Sequence, residues 1–250
     1  MQIVKANWPE LADQNSQVIA FTTMRKAHDK RIAGGDYGDF NLGLHVGDDL
    51  AQVLKNRDQL MQYCQLEDAQ WLEQVHGVKC VKAQRDKQIP VADACWTDEK
   101  DFACIVMTAD CLPVAVRQGK KIAVAHAGWR GLLAGVLDST LQAFDTSVTD
   151  IWLGPAIGPN AFEVGEEVRE QFVAENSANA DAFQATANNG KWLADIYLLA
   201  KIRLVKLGIQ AARIYGEKQC TYSDNHSYYS YRRHAQTGRM ATVIYRTTPD

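Results

Sequence analysis

Two apolar runs joined by four residues constrain this chain more than any other feature. Leu112 to Arg117 and Ile122 to Ala125 flank Gln118-Gly119-Lys120-Lys121. Runs of this length bounded by a glycine-containing turn read as strands. A turn this short can join them only as an antiparallel pair. Just upstream, Phe102 to Thr108 carries Ile105 and Val106 and reads as a third, buried strand. Gly128 to Gly131 breaks the pattern. A helix is expected from about Leu132 to Phe144, with Leu132, Val136, Leu137 and Leu141 on one face. Ile151 to Leu153, Ala212 to Tyr215 and Ala241 to Tyr245 read as further strands. Gly165 to Ala174 and Ala194 to Leu207 read as helices, the second closed by Gly208. Strands and helices alternate, yet the hairpin demands antiparallel pairing. The expected sheet of this α/β chain is therefore mixed rather than purely parallel.

The 250 residues suffice for one large α/β domain with a sizeable core. A hydrophobic share of 46% and a charged share of 23% is a globular balance. The formal net charge of -3 gives no global attraction to nucleic acid or to an anionic membrane. No apolar run approaches the roughly 20 residues of a membrane span. Met1 to Glu10 lacks a basic segment leading into an apolar one, so no signal peptide and a cytoplasmic location are expected. Cys64, Cys80, Cys95, Cys104, Cys111 and Cys220 include no CxxC pair. They are expected to be reduced thiols, most of them small buried apolar residues. Glu175 to Gly190, rich in Ala, Asn and Ser, is linker-like, and Lys26 to Gly38 reads as a mobile surface loop.

Chemistry concentrates around the hairpin. Cys111 follows one strand in Thr108-Ala109-Asp110-Cys111, and His126 follows another in His126-Ala127-Gly128-Trp129-Arg130-Gly131. Pairing about the turn sets Leu112 opposite roughly Ala127, so Cys111 and His126 can meet at the open end of the hairpin. His76 stands in Glu73-Gln74-Val75-His76-Gly77, where Gly77 permits close backbone approach. One thiolate and two imidazoles suit zinc, and three protein ligands leave the fourth position that a catalytic site needs. The same residues also read as a cysteine nucleophile beside a histidine base. Asp110 could then orient the partner, or simply cap a turn. Both readings stand on these residues alone.

Seven ordered blocks resemble the YfiH/YlmD family, also described as laccase-domain or polyphenol-oxidase-like proteins and as multifunctional purine nucleoside phosphorylases. They are Phe40 to Asp48 with Asn56-Arg57, Gln74 to Gly77, Ala92-Asp93-Ala94 with Thr97, Thr108 to Pro113, His126 to Gly131, Gly154 to Pro159 leading into Phe162 to Gly165, and Ser230 to Arg233 with Thr237 to Arg239. The resemblance implies mixed β-sheets covered by helices in a layered α/β/β/α sandwich, formed by residues 1–250 as one domain. It implies His76, Cys111 and His126 as zinc ligands. It implies phosphorolysis of adenosine, inosine and methylthioadenosine, with adenosine deamination as a second reaction. Copper-dependent phenol oxidation and peptidoglycan precursor editing are alternatives that the resemblance also carries. The chain departs from the family at Lys26 to Lys30, where a short glycine-rich turn is usual, and at Asn160-Ala161.

Purine nucleosides and phosphate are thus the expected partners, with no nucleic acid and no membrane. Asn41, Arg57 and Arg130 are the candidates for substrate contact. Arg57 and Arg130 could hold phosphate, and Asn41 could bond a ribose or base edge. Trp129 reads as packing before base stacking. Arg232, Arg233 and Arg239, interleaved with Tyr228, Tyr229 and Tyr231, read as structural or substrate-edge groups. His28, His45, His226 and His234 are expected at the surface or behind the site.

Overall fold

Leu112 pairs with Ala127 and Gln118 with Lys121, so the hairpin forms in the expected register. The structure, a computed structural model, describes residues 1–9, 17–26, 37–216 and 219–248. Most of the Lys26 to Gly38 segment, with His28 and most of the departure at Lys26 to Lys30, lies outside the described residues. In chain order the first elements are β1 (Ile3–Lys5), β2 (Gln17–Thr23), α1 (Leu50–Cys64), β3 (Ala69–Gln70), β4 (Cys80–Lys82) and β5 (Ala94–Thr97). Next come β6 (Ala103–Thr108), β7 (Leu112–Gln118), β8 (Lys121–Ala127), α2 (Trp129–Ala134), α3 (Val136–Leu141) and β9 (Asp150–Leu153). The remainder holds β10 (Glu163–Gly165), α4 (Glu166–Glu175), β11 (Phe183–Ala185), β12 (Lys191–Ala194), α5 (Ile196–Lys206), β13 (Ile214–Tyr215) and β14 (Met240–Thr247).

Two mixed sheets form the centre. One has the order β1-β2-β14-β6-β3 and the other β13-β9-β7-β8-β5-β4. Each contains parallel and antiparallel pairs, as β3 with β6 and β14 with β6 illustrate. Side chains that alternate along a strand enter different cores. On β6, Ala103 and Ile105 face a core with Phe21, Leu60 and Val243, whereas Cys104 and Val106 face one with Val124 and Trp152. On β8, Ile122 and Val124 enter that inter-sheet core, while Ala123, Ala125 and Ala127 meet Leu132, Val136 and Leu137 from α2 and α3. With α1 carrying Leu60 and Cys64 over the first sheet, the layers run helix, sheet, sheet, helix. This double coverage explains why β6 reads as an unbroken apolar run. Complete burial of a side chain such as Ile105 contributes roughly 2 kcal/mol.

Several elements differ from expectation. The helix after the hairpin starts at Trp129 and divides at Gly135, whose φ of 105° lies in the left-handed region. Glycine takes that conformation without a Cβ clash, so α2 closes there by a Gly135 N–H to Gly131 O bond of 3.0 Å. Leu132, Val136, Leu137 and Leu141 still share one buried face. The linker-like Glu175 to Gly190 region instead holds a 3-10 turn at Ser177–Ala182 and the strand β11. Buried Asn179 fixes the turn by donating to Phe172 O at 2.8 Å. β11 joins β12 and β10 in a small third sheet. Ala194 ends β12, and Asp195 then caps α5 through Leu198 N–H. In Ala212 to Tyr215 only Ile214–Tyr215 pairs, alongside β9. All six cysteines are free thiols. No described helix is long and apolar enough to cross a membrane.

Candidate metal centre and its cavity

His126 is the next-to-last residue of β8, one pair before the register closes at Leu112 and Ala127, so its ring lies near the turn that carries Cys111. His76 arrives from the loop between β3 and β4. One donor atom from each of His76, Cys111 and His126 lies within 4.8 Å of the others. Cys111 Sγ stands 3.8 Å from His76 Nε2, and the two imidazoles meet edge-on at a centroid distance of 4.7 Å. His126 is buried, Cys111 half-buried and His76 exposed, so the cluster opens on one side.

The backbone is bent to bring these groups together. His76 has φ 59° and Asp110 φ 96°, both in the left-handed region that residues with a Cβ seldom adopt. Asp110 is held there by its carboxylate, which accepts from Thr221 Oγ1 at 2.6 Å, Ser230 Oγ at 3.0 Å and Arg232 N at 2.7 Å. It therefore fixes the turn before Cys111 and does not orient a histidine. Gly128 is required by the crowding: a Cβ there would stand 2.9 Å from His76 Cδ2 and 3.1 Å from Cys111 Sγ. Gly131 faces the Gly77 carbonyl, 2.8 Å from where a Cβ would lie. The glycines of the His126-to-Gly131 block thus make room for the His76 and Cys111 side chains and for the loop at Gly77.

The group that orients His126 is Asp93, fully buried on the approach to β5. Its Oδ1 accepts from His126 Nδ1 at 2.8 Å and from His76 N at 2.9 Å. Its Oδ2 accepts from Gly77 N at 2.7 Å and Val75 N at 3.2 Å. One carboxylate therefore fixes both the His76 loop and the His126 ring, leaving Nε2 of His126 for the cluster. Burial would raise the Asp93 carboxyl, but the His126 bond and the loop N–H groups outweigh it and hold it below the usual range. In the sequence Asp93 stands out only as part of the Ala92-Asp93-Ala94 block; a carboxylate 33 positions from His126 gives no spacing signal.

Burial would by itself push the Cys111 thiol up, yet His126 and His76 bring it down to about 6. Burial would lower His126, yet the Cys111 charge and Asp93 raise it to about 9. Cys111 is thereby held as a thiolate near neutral pH, the form that ligates metal. A thiolate, two imidazoles and a buried carboxylate behind one imidazole fit a single cation with one open position.

The cluster lies in a cavity of about 820 Å³. Ile157, Phe162, Ile196 and Trp129 give it an apolar part; Arg130, Arg232 and Arg239 give it a cationic one, and His45 adds an imidazole to the lining. Trp129 packs on the core and also lines the cavity. Of the sequence candidates for substrate contact, Arg130 lines the cavity, its guanidinium 4.3 Å from the Trp129 ring centre. Asn41 and Arg57 stand behind the lining. Asn41 is fully buried and accepts from Gly43 N at 2.9 Å and Arg239 N at 2.8 Å. Arg57 donates to Leu42 O at 2.9 Å and stacks 3.8 Å from the Trp71 ring centre. Arg233 is structural, donating to the carbonyls of Thr221, Tyr222 and Tyr228. His45 and Arg239, which sequence reasoning places at the surface or the substrate edge, both face the cavity.

Residues 18–247 match the sequence model of a family described as multi-copper polyphenol oxidoreductase laccase. A Pseudomonas aeruginosa protein named as a purine nucleoside phosphorylase is 43% identical over 96% of each chain. The Escherichia coli purine nucleoside phosphorylase YfiH is 46% identical over 84% of this chain and 87% of its own. The crystal structure of a Neisseria meningitidis protein of the same family superimposes with a TM-score of 0.88, at 39% identity over 97% of this chain and 98% of that one. The layered mixed sheets, the clustered His76, Cys111 and His126, and this similarity along nearly the whole chain agree: the chain belongs to the YfiH/YlmD laccase-domain family.

Proposed function

We propose that this chain is a purine nucleoside phosphorylase. It would convert adenosine, inosine and methylthioadenosine with phosphate into free base and ribose 1-phosphate, with adenosine deamination as a side reaction. One observation carries the reading: the thiolate–imidazole cluster shares a single cavity with apolar walls and cationic side chains. Such a cavity can hold a flat, mostly apolar base beside an anion. The relatives named as purine nucleoside phosphorylases, at 43% and 46% identity, support the reaction class.

His76, Cys111 and His126 would hold zinc, which supplies Lewis-acid polarisation when bound. The protein does the rest by positioning. Trp129 and Phe162 add aromatic surface to the wall against which a purine can pack. Arg130 puts a positive charge on the cavity wall, able to stabilise negative charge that develops on the leaving base. Asn41 and Arg57 act through the loop they hold rather than by touching substrate. Holding phosphate and nucleoside together replaces a bimolecular encounter by one within the complex.

A multicopper oxidase is the reading that the family's description suggests. The donor set disfavours it. Among the described residues, His76, Cys111 and His126 form the one group of three such side chains able to share an ion.

The test is inosine incubated with and without phosphate. Hypoxanthine release should depend on phosphate and be matched by ribose 1-phosphate. Equal release without phosphate, yielding free ribose, would identify a hydrolase instead.

A further inference from the structure

The cavity holds a second group of side chains that the metal cluster does not use. His45 and Arg239 both line it. They come from distant parts of the chain and are joined by Asn41, whose Oδ1 accepts from Gly43 N and Arg239 N. Gly43 lies so close that a Cβ there would stand 2.8 Å from Arg239 Cγ. Arg239 is anchored on one side only: its Nη1 donates to Thr237 O and Gly238 O at 2.9 and 3.1 Å. Among the described residues no carboxylate pairs with Arg239 or with Arg57 behind it. Beside them, the Thr108 hydroxyl is buried without a hydrogen-bond partner, and Thr108 also lines the cavity.

The Cys111 and Asp110 charges act on Arg239 without forming an ion pair with it, so its guanidinium keeps donors that an oxyanion can take up. The cationic surroundings are visible at His45, which burial first, then Arg239 and Arg57, hold below the usual imidazole range. Two carboxylates also line the cavity. Asp110 is committed to Thr221, Ser230 and Arg232, and Glu73 is exposed.

We propose that Arg239 and His45, with the Thr108 hydroxyl as a further donor, form the site that binds inorganic phosphate. The inference rests on the phosphorylase reading for the use of that phosphate, but the binding site is testable without it. Asn41 and Arg57 become positioning residues for this site. Arg130 then serves the nucleoside rather than the anion.

The experiment combines calorimetric titration of inorganic phosphate, without nucleoside, and steady-state kinetics on wild type, Arg239→Gln, Arg239→Lys, His45→Asn and Arg130→Gln. Loss of one charge-assisted bond weakens an anion roughly 10- to 100-fold. Arg239→Gln should therefore weaken phosphate and raise its KM by about that factor, with the KM for inosine changed less than about twofold. Arg239→Lys, which keeps the charge and guards against misfolding, should recover part of the loss. His45→Asn should weaken phosphate by about fivefold, the middle of the range expected of one neutral hydrogen bond. Unchanged phosphate affinity in Arg239→Gln and His45→Asn, or a loss confined to Arg130→Gln, would overturn the assignment. So would a wild type that binds no phosphate. A nucleoside 5′-monophosphate carries the same head group; if Arg239→Gln weakens inosine monophosphate but not inorganic phosphate, the site serves a substrate's own phosphate and the proposal fails. Arg239-dependent phosphate binding by a wild type that releases no hypoxanthine would uphold the site and refute the phosphorylase reading.

Discussion

Cys111→Ser is expected to lose the bound metal and about three orders of magnitude in inosine phosphorolysis, while the fold persists. Serine matches cysteine in shape, but its hydroxyl stays protonated where the Cys111 thiol, drawn down to about 6, is a thiolate. Two imidazoles alone make a weak, undercharged site. Lewis-acid stabilisation contributes several kcal/mol to such reactions, and each 1.4 kcal/mol is about tenfold in rate. The half-buried Cys111 side chain belongs to none of the apolar cores, so far-UV circular dichroism should be unchanged. Metal analysis and initial rates on the same sample check both parts. Full metal occupancy in the serine variant would remove Cys111 from the ligand set.

Asp93→Asn should damage stability and metal affinity together. Asp93 has no solvent exposure, and its two oxygens accept four hydrogen bonds, from the His126 ring and from the N–H groups of Val75, His76 and Gly77. An asparagine keeps one acceptor oxygen and turns an NH2 toward donors. Breaking a buried charge-assisted pair costs about 3 kcal/mol, measurable as a lower denaturant midpoint. Removing the carboxylate behind a ligating histidine typically costs 10- to 100-fold in metal affinity, measurable by chelator competition. A variant with lowered stability but unchanged metal affinity would mean that Asp93 only holds the 75–77 loop.

Much of this centre is legible in the amino-acid sequence. The apolar runs around Gln118 to Lys121 dictate a hairpin, and the hairpin gives Cys111 and His126 a reason to meet. His76 carries no such signal, because a long loop path rather than a register delivers it; only resemblance names it. Asp93 is invisible as a partner for the same reason. Periodicity also fails where both faces of a strand are buried. β6 shows no alternation in sequence, although its residues alternate between two cores. α1 escapes notice because its apolar residues are sparse and Leu50 and Leu54 on it are exposed. The helix after the hairpin keeps its apolar spacing across Gly135, which hides the break. The segments of His45 and Arg239 meet through Asn41 and Leu42, by bonds between positions nearly 200 residues apart that no local pattern announces, Asn41 and Arg239 being 198 apart.

A metal held by His76, Cys111 and His126 is proposed to sustain phosphate-dependent cleavage of purine nucleosides. The most direct test measures zinc and other metals in the protein as purified, then follows hypoxanthine release as the metal is removed by chelation and restored. Close to one equivalent of zinc per chain is expected, with activity falling in proportion to its removal and returning on zinc addition. A metal-free protein that keeps full phosphate-dependent activity would contradict that expectation, and would return the chemistry to the Cys111 thiolate and its histidines alone.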